Sequence, residues 1–139
     1  MKIRVKQIRG AEDLALAHRI RTAVFIGEQK VPPEIEMDEF EDSATHILAW
    51  AGNEPVGTAR WRQTPDGVKL ERFAVLKPYR SRGVGSALVQ YCLEENAGSI
   101  IYLNAQVDVI DFYRQYGFRE IGDEFEEAGI RHKQMILAT

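Results

Sequence analysis

Strict alternation of apolar and polar positions opens the chain. In "KIRVKQI", Ile3 and Val5, with Gln7 on the same side, alternate with charged residues, the period-two pattern of a half-buried strand. The period then changes. Through "AEDLALAHRIRTAVFIGEQ" the apolar residues Leu14, Ala17, Ile20 and Val24 recur at three- and four-residue spacing, which predicts an amphipathic helix. Glu12 and Asp13 stand where the helix dipole favours carboxylates. Pro32 and Pro33 end that helix, and the acidic segment "PPEIEMDEFEDSA" reads as a loop. Strand patterns return in "THILAWAG" and "EPVGTARWRQT", which turn at Gly52-Asn53, and again in "VKLERFAVL" beyond the Pro65-Asp66-Gly67 turn. "SALVQYCLEEN" reads as a second helix ending toward Gly98. "SIIYLNAQ" is a short buried-type strand, "VDVIDFYRQYG" a helix closing at Gly117, and "FREIGDEFEEAGIRHKQMILA" two final strands around "EEAG".

The resulting order is β-α-β-β-β-α-β-α-β-β. Three consecutive hairpin-linked strands precede a strand-helix-strand unit, which predicts an α/β (α+β) fold. Its sheet is mixed, mostly antiparallel and twisted, with helices on both faces, and is not doubly wound. Residues 1–139 are expected to form a single domain. Ligand sites in such sheets favour the carboxyl ends of diverging strands.

Composition narrows the chemistry. The content of 45% hydrophobic and 28% charged residues is that of a globular protein, and the net charge of -3 argues against nucleic-acid binding. No apolar run approaches the ~18 residues of a membrane span. The N-terminus has no signal-peptide core, so a cytoplasmic location is expected. Cys92, the single cysteine, excludes an intrachain disulfide and falls four residues after Leu88, as a helix-core residue would. His18, His46 and His132 are scattered and no metal-ligand spacing occurs, so no metal is expected. Trp50 and Trp61 lie on adjacent predicted strands and read as packing residues.

The chemical candidate is "YRSRGVG", residues Tyr79 to Gly85, immediately before the second helix. A helix N-terminus presents unpaired N–H groups and partial positive charge. Gly83 and Gly85 permit close approach and unusual dihedrals, and Arg80 and Arg82 add charge-assisted donors. Together they suit an anion of the pyrophosphate kind. A dinucleotide-binding GxGxxG would need glycine where Leu88 stands, and a Walker A loop would need a Gly-Lys-Ser/Thr ending that is missing.

In context, "LERFAVLKPYRSRGVGSALV" resembles the acyl-CoA signature of the GNAT superfamily of N-acetyltransferases: an apolar strand, a short loop, then Arg/Gln-x-x-Gly-x-Gly/Ala opening a helix. "FYRQYGF", Phe112 to Phe118, resembles that superfamily's Phe/Leu-Tyr-x-x-x-Gly-Phe. "RTAVFIGEQKVPPEIEMDEFEDSATHILA" and "AGIRHKQM" are most similar to the small bacterial ElaA- and YjcF-like branch. The resemblance implies a GNAT-like fold, acetyl-CoA as cosubstrate and an N-acetyltransferase acting on a small-molecule or peptide amine in a ternary complex. It also admits a homodimer. It implies that N–H groups from Arg82 through Gly83, Val84 and Gly85 to Ser86 hold pyrophosphate, with Arg80, Ser81 and Arg82 beside it. Phe73, Ala74 and Val75 would run along pantetheine, with the Val75 N–H as oxyanion donor and Tyr113 protonating the thiolate.

Where many members carry Asn, this chain has Gln106, and Asn104 is the other candidate for that contact. Glu71, on the strand leading to Phe73, is the candidate general base, with Glu28, Asp38, His46, His132 or a water chain as the other options. The acidic run from Glu34 to Asp42 reads as a solvated loop or as a rim that draws in a cationic acceptor. The competing functions are a non-catalytic acyl-CoA-binding regulatory module and a purely structural interaction domain.

Overall fold

The structure, a computed structural model, describes residues 2–138. Its strands are β1 (Ile3–Gln7), β2 (Thr45–Ala51), β3 (Glu54–Thr64), β4 (Gly67–Val75), β5 (Ile101–Gln106), β6 (Phe118–Glu127) and β7 (Ile130–Leu137). They form a 7-stranded sheet in the order β1-β2-β3-β4-β5-β7-β6. Every neighbouring pair is antiparallel except β4 and β5, so the mixed, mostly antiparallel sheet expected from the pattern is the one observed.

Helices cover both faces. On one, α3 (Val84–Glu95) packs Leu88, Val89 and Cys92 against Ile47, Ala49, Leu70 and Leu103. Burial pushes the Cys92 thiol up to about 12, which makes it an inert core residue. On the other, α1 (Ala11–Arg21) lays Ala17, Ile20 and the following Val24 on Leu48 and Ala74. Trp61 packs on the first cluster and Trp50 on the second, as expected of strand tryptophans.

Two local differences from the sequence reading matter. The long first helix does not stay α-helical: Thr22–Glu28 widens into a π-helix, with the Gln29 N–H donating to Val24 O. This change turns Phe25 and Gln29 toward the cavity described below. The segment read as a loop contains a helical turn, α2 (Pro33–Glu36), because Pro33 at its start has a preset φ and lacks only an N–H that would be unpaired there.

The site-forming event occurs between β4 and β5. These parallel strands pair only at Val68↔Ile101, Lys69↔Tyr102 and Leu70↔Leu103, and then separate. A β-bulge drives β4 away, since Arg72 and Phe73 together oppose Ala59 of β3, with Arg72 at φ 58. The short helix α4 (Ile110–Arg114) follows β5 and closes the lower side of the opening with aromatic residues.

Candidate active site

The diverging ends of β4 and β5 open into a cavity of about 810 Å³ that runs from the start of α3 to the β6–β7 hairpin. At one end lies α3. Gly83 is its N-cap at φ 87, a conformation that L side chains rarely adopt, and the first intrahelical bond is Ala87 N–H to Gly83 O at 3.0 Å. The N–H groups of Gly83, Val84, Gly85 and Ser86 therefore precede the helical ladder. Gly85 has a packing reason as well: a Cβ there would sit 3.2 Å from the Phe112 ring, so glycine lets α3 approach α4. The Ser86 hydroxyl is hydrogen-bonded with Tyr116 OH.

The two arginines of the loop part company. Arg80 donates through Nε to Val75 O at 2.9 Å and through Nη2 to Glu28 at 2.8 Å, so its guanidinium ties the loop to the end of β4. Arg82 is exposed and does not line the cavity, and Val84 is a buried core residue whose backbone alone is at the helix start.

Along the middle of the cavity runs the free edge of β4. The Leu76 N–H bonds to Val56 O of β3, and N–H and C=O directions alternate along a strand. Phe73 and the Val75 N–H accordingly face the opening, where β5 has already turned away, while the Val75 C=O is held by Arg80. Tyr113 borders the same space, 7% exposed, its ring packed edge-on against Phe73, Phe112 and Phe118. Burial pushes its phenol far above the ordinary tyrosine value, so the hydroxyl stays protonated.

On β5 the two amides differ. Gln106 donates to Gln29 Oε1 at 2.9 Å and receives a longer bond in return, locking the strand end to the π-helical segment. Asn104 lines the cavity with its Oδ1 buried and without a hydrogen-bond partner. Of the two, Asn104 holds the acceptor that a bound N–H would satisfy.

Glu71 lines the cavity and is closely paired. It accepts from Arg60 Nε at 2.7 Å, with Arg62 Nε at 3.2 Å and Lys69 Nζ at 3.4 Å. Burial works to raise its pKa, but the charges of Arg60, Lys69 and Arg62 outweigh burial and hold it below the ordinary glutamate range. A carboxylate so held has a weakened affinity for a proton. Glu28 is engaged with Arg80, and Asp38 with Arg60 and Arg72, which lower its pKa against the opposing effect of burial. His46 bonds through Nε2 to Glu41 O at 2.9 Å and lies outside the cavity.

His132 differs from all of these. Its Nδ1 is 2.7 Å from Ile130 O, and a carbonyl can only accept, so Nδ1 carries the proton and Nε2 keeps its lone pair in the neutral ring. The ring is 6% exposed, stacked on Phe125 and lines the cavity.

The acidic run is the largest departure from the sequence reading. Glu36, Asp38 and Glu41 turn inward onto two arginines that are 1% and 0% exposed, Arg21 and Arg60. Glu41 accepts from Arg21 Nη1 at 2.7 Å and Arg60 Nη1 at 2.8 Å and is paired with His18; Asp38 accepts from Arg60 Nη2 at 2.6 Å; Glu36 holds Arg21 Nε. Glu34, Glu39 and Asp42 remain exposed. Half of the run thus stays solvated at the surface, and the other half is a clamp that fixes one cavity wall. No local sequence signal indicates this, because Arg21 reads as a polar helix position and Arg60 as a strand charge. Among the described residues no group of three or more potential metal ligands converges, and no helix is long and apolar enough to cross a membrane.

Comparison with known proteins gives consistent results. The family model described as acetyltransferase (GNAT) domain matches residues 12–139. The chain is 43% identical over 130 residues to the uncharacterized N-acetyltransferase YjcF of Bacillus subtilis (strain 168), covering 90% of this chain and 92% of YjcF. The crystal structure of Escherichia coli ElaA matches with a TM-score of 0.84 at 26% identity, covering 96% of this chain and 99% of ElaA. A Bacillus subtilis acetyltransferase crystallised in complex with CoA matches with a TM-score of 0.73 at 19% identity, covering 99% of both chains, a likeness that bears on the fold alone.

Proposed function

The chain belongs to the GNAT acetyltransferase family, and from that premise we propose that it transfers an acetyl group from acetyl-CoA directly to a primary amine, with both substrates in the one cavity. The observation that carries this reading is continuity. The unpaired N–H groups opening α3, the unpaired edge of β4, the orphan Asn104 Oδ1 and the Tyr113 ring all border the same space. Acetyl-CoA, when bound, supplies an activated acyl carbon and a thiolate leaving group.

The residues then have separable tasks. N–H groups from Gly83 to Ser86 hold the pyrophosphate with the helix dipole behind them. Phe73 adds main-chain hydrogen bonds along pantetheine as an extra strand would, and Asn104 Oδ1 accepts an amide N–H. The Val75 N–H donates to the thioester oxygen as charge develops there. Tyr113 donates to the departing sulfur. An amine with a pKa of about 10.4 must lose a proton before it attacks, and His132 Nε2 is the acceptor that the geometry favours over Glu71. Glu71 instead holds Arg60, Arg62 and Lys69 in place. Arg80 supports the site by fixing the β4–α3 loop.

Calorimetry with acetyl-CoA and thiol release across primary amines test this together. Tyr113→Phe is expected to lower kcat on the order of 10²-fold while acetyl-CoA still binds; an unchanged rate overturns its role. Tight acetyl-CoA binding with no CoA release for any amine identifies a binding module instead.

A further inference from the structure

We propose that the amine acceptor carries an anionic group and that Arg62 and Lys69 bind it; this rests on reading the cavity as the site of acetyl transfer. The two cations stand directly opposite each other in the β3–β4 register. Like charges so placed destabilise a sheet, and here both line the cavity, 18% and 16% exposed, where little water screens them. Their shared carboxylate is Glu71, at 3.2 Å and 3.4 Å, and it is already bound by Arg60 at 2.7 Å.

The rest of the network supplies no further negative charge. Glu36, Asp38 and Glu41 are taken by Arg21, Arg60 and Arg72. Five cations, Arg21, Arg60, Arg62, Lys69 and Arg72, thus face four carboxylates, and the surplus falls at the cavity wall. Glu127, the other carboxylate of the cavity lining, is on the β6–β7 hairpin 3.6 Å from His132 Nε2. A largely desolvated, uncompensated charge is unfavourable until an anion meets it. Arg62 is held in place at the cavity wall, its guanidinium carbon 3.8 Å from the centre of the Phe40 ring.

The strand sets a length requirement too. Lys69 precedes Val75 by six residues of β4, roughly 16 Å when one residue is discounted for the bulge; the lysine side chain spans part of that, and the anionic group is left several bonds from the reacting amine. An ω-amino acid or its phosphate counterpart fits; a polyamine does not, contrary to the attraction for cations suggested by the acidic run.

The test is calorimetry on the wild-type protein with CoA present, using 6-aminohexanoate, 6-aminohexyl phosphate, hexylamine and 1,6-diaminohexane. At least one anionic compound is expected to bind tenfold or more tighter than hexylamine and the diamine, and the tighter of the two anions distinguishes carboxylate from phosphate. Lys69→Met should reduce that preference to within threefold, and Lys69→Arg should keep it. Hexylamine or the diamine binding as tightly as both anions overturns the proposal, as does a preference that survives Lys69→Met combined with Arg62→Met. Because binding is read without turnover, anion preference in the titration together with no CoA release from acetyl-CoA in a parallel thiol assay refutes acetyl transfer and supports the anion site. Equal turnover of hexylamine and 6-aminohexanoate does the reverse.

Discussion

Replacing Glu41 by glutamine should cost folding stability in a pH-dependent way. Burial alone would raise the Glu41 pKa, but hydrogen bonds from Arg21 and His18 and the charges of Arg21 and His46 more than reverse it, bringing it from 4.5 down to about 2. That gap of about 2.5 units corresponds to about 3 kcal/mol in favour of the folded state at neutral pH. Because the folded value is the lower one, the contribution is complete above the unfolded pKa and is lost as pH falls from about 4.5 through about 2. Glu41→Gln keeps the shape and removes the charge, leaving Arg21 and Arg60 to Glu36, Asp38 and Glu71.

Urea unfolding followed by the fluorescence of Trp50 and Trp61 measures the difference. The variant should be about 3 kcal/mol less stable at pH 7, and the gap should shrink to less than half of that by about pH 3. A loss below about 1 kcal/mol at pH 7, or a gap that does not change with pH, would refute the account of the clamp. Since the clamped segment carries Asp38 and Phe40 into the cavity wall, the same variant should raise KM for the acceptor more than for acetyl-CoA.

Two other substitutions separate roles within the cavity. Asn104→Leu removes a buried acceptor that has no partner, so the free protein should melt at an equal or higher temperature while acetyl-CoA binds about tenfold more weakly; a lower melting temperature with unchanged affinity contradicts the assignment. His132→Asn should lower kcat on the order of 10²-fold with acetyl-CoA affinity retained; an unchanged kcat removes His132 as the base.

Much of the architecture was legible because it rests on short-range regularities. Alternation in "KIRVKQI" and the turn chemistry of Pro65-Asp66-Gly67 report local backbone preferences, and the strand and hairpin they indicated are present. The helix after the glycine-rich loop was legible for the same reason, although it begins at Val84, two residues before the Ser86 at which the apolar pattern starts. The π-helical Thr22–Glu28 was not, since its apolar spacing is compatible with a continuing α-helix; the residue that follows it, Gln29, bonds Gln106 across 77 residues, a contact no local pattern shows.

By itself, the sequence determined that a glycine-rich helix start follows an apolar strand and that an aromatic helix with Tyr113 comes later; these are properties of contiguous residues. Tertiary structure alone decided which charges are available. Arg21, Arg60 and the run from Glu36 to Glu41 lie 15 to 22 residues apart in their contacting pairs, and their pairing turns an apparent acidic surface inward. It also engages Glu71 with three cations and leaves Arg62 and Lys69 facing the cavity with that one carboxylate between them. The physical reason is that the cost of a buried charge depends on every partner within a few ångströms, and those partners are brought together only by the packed sheet and helices.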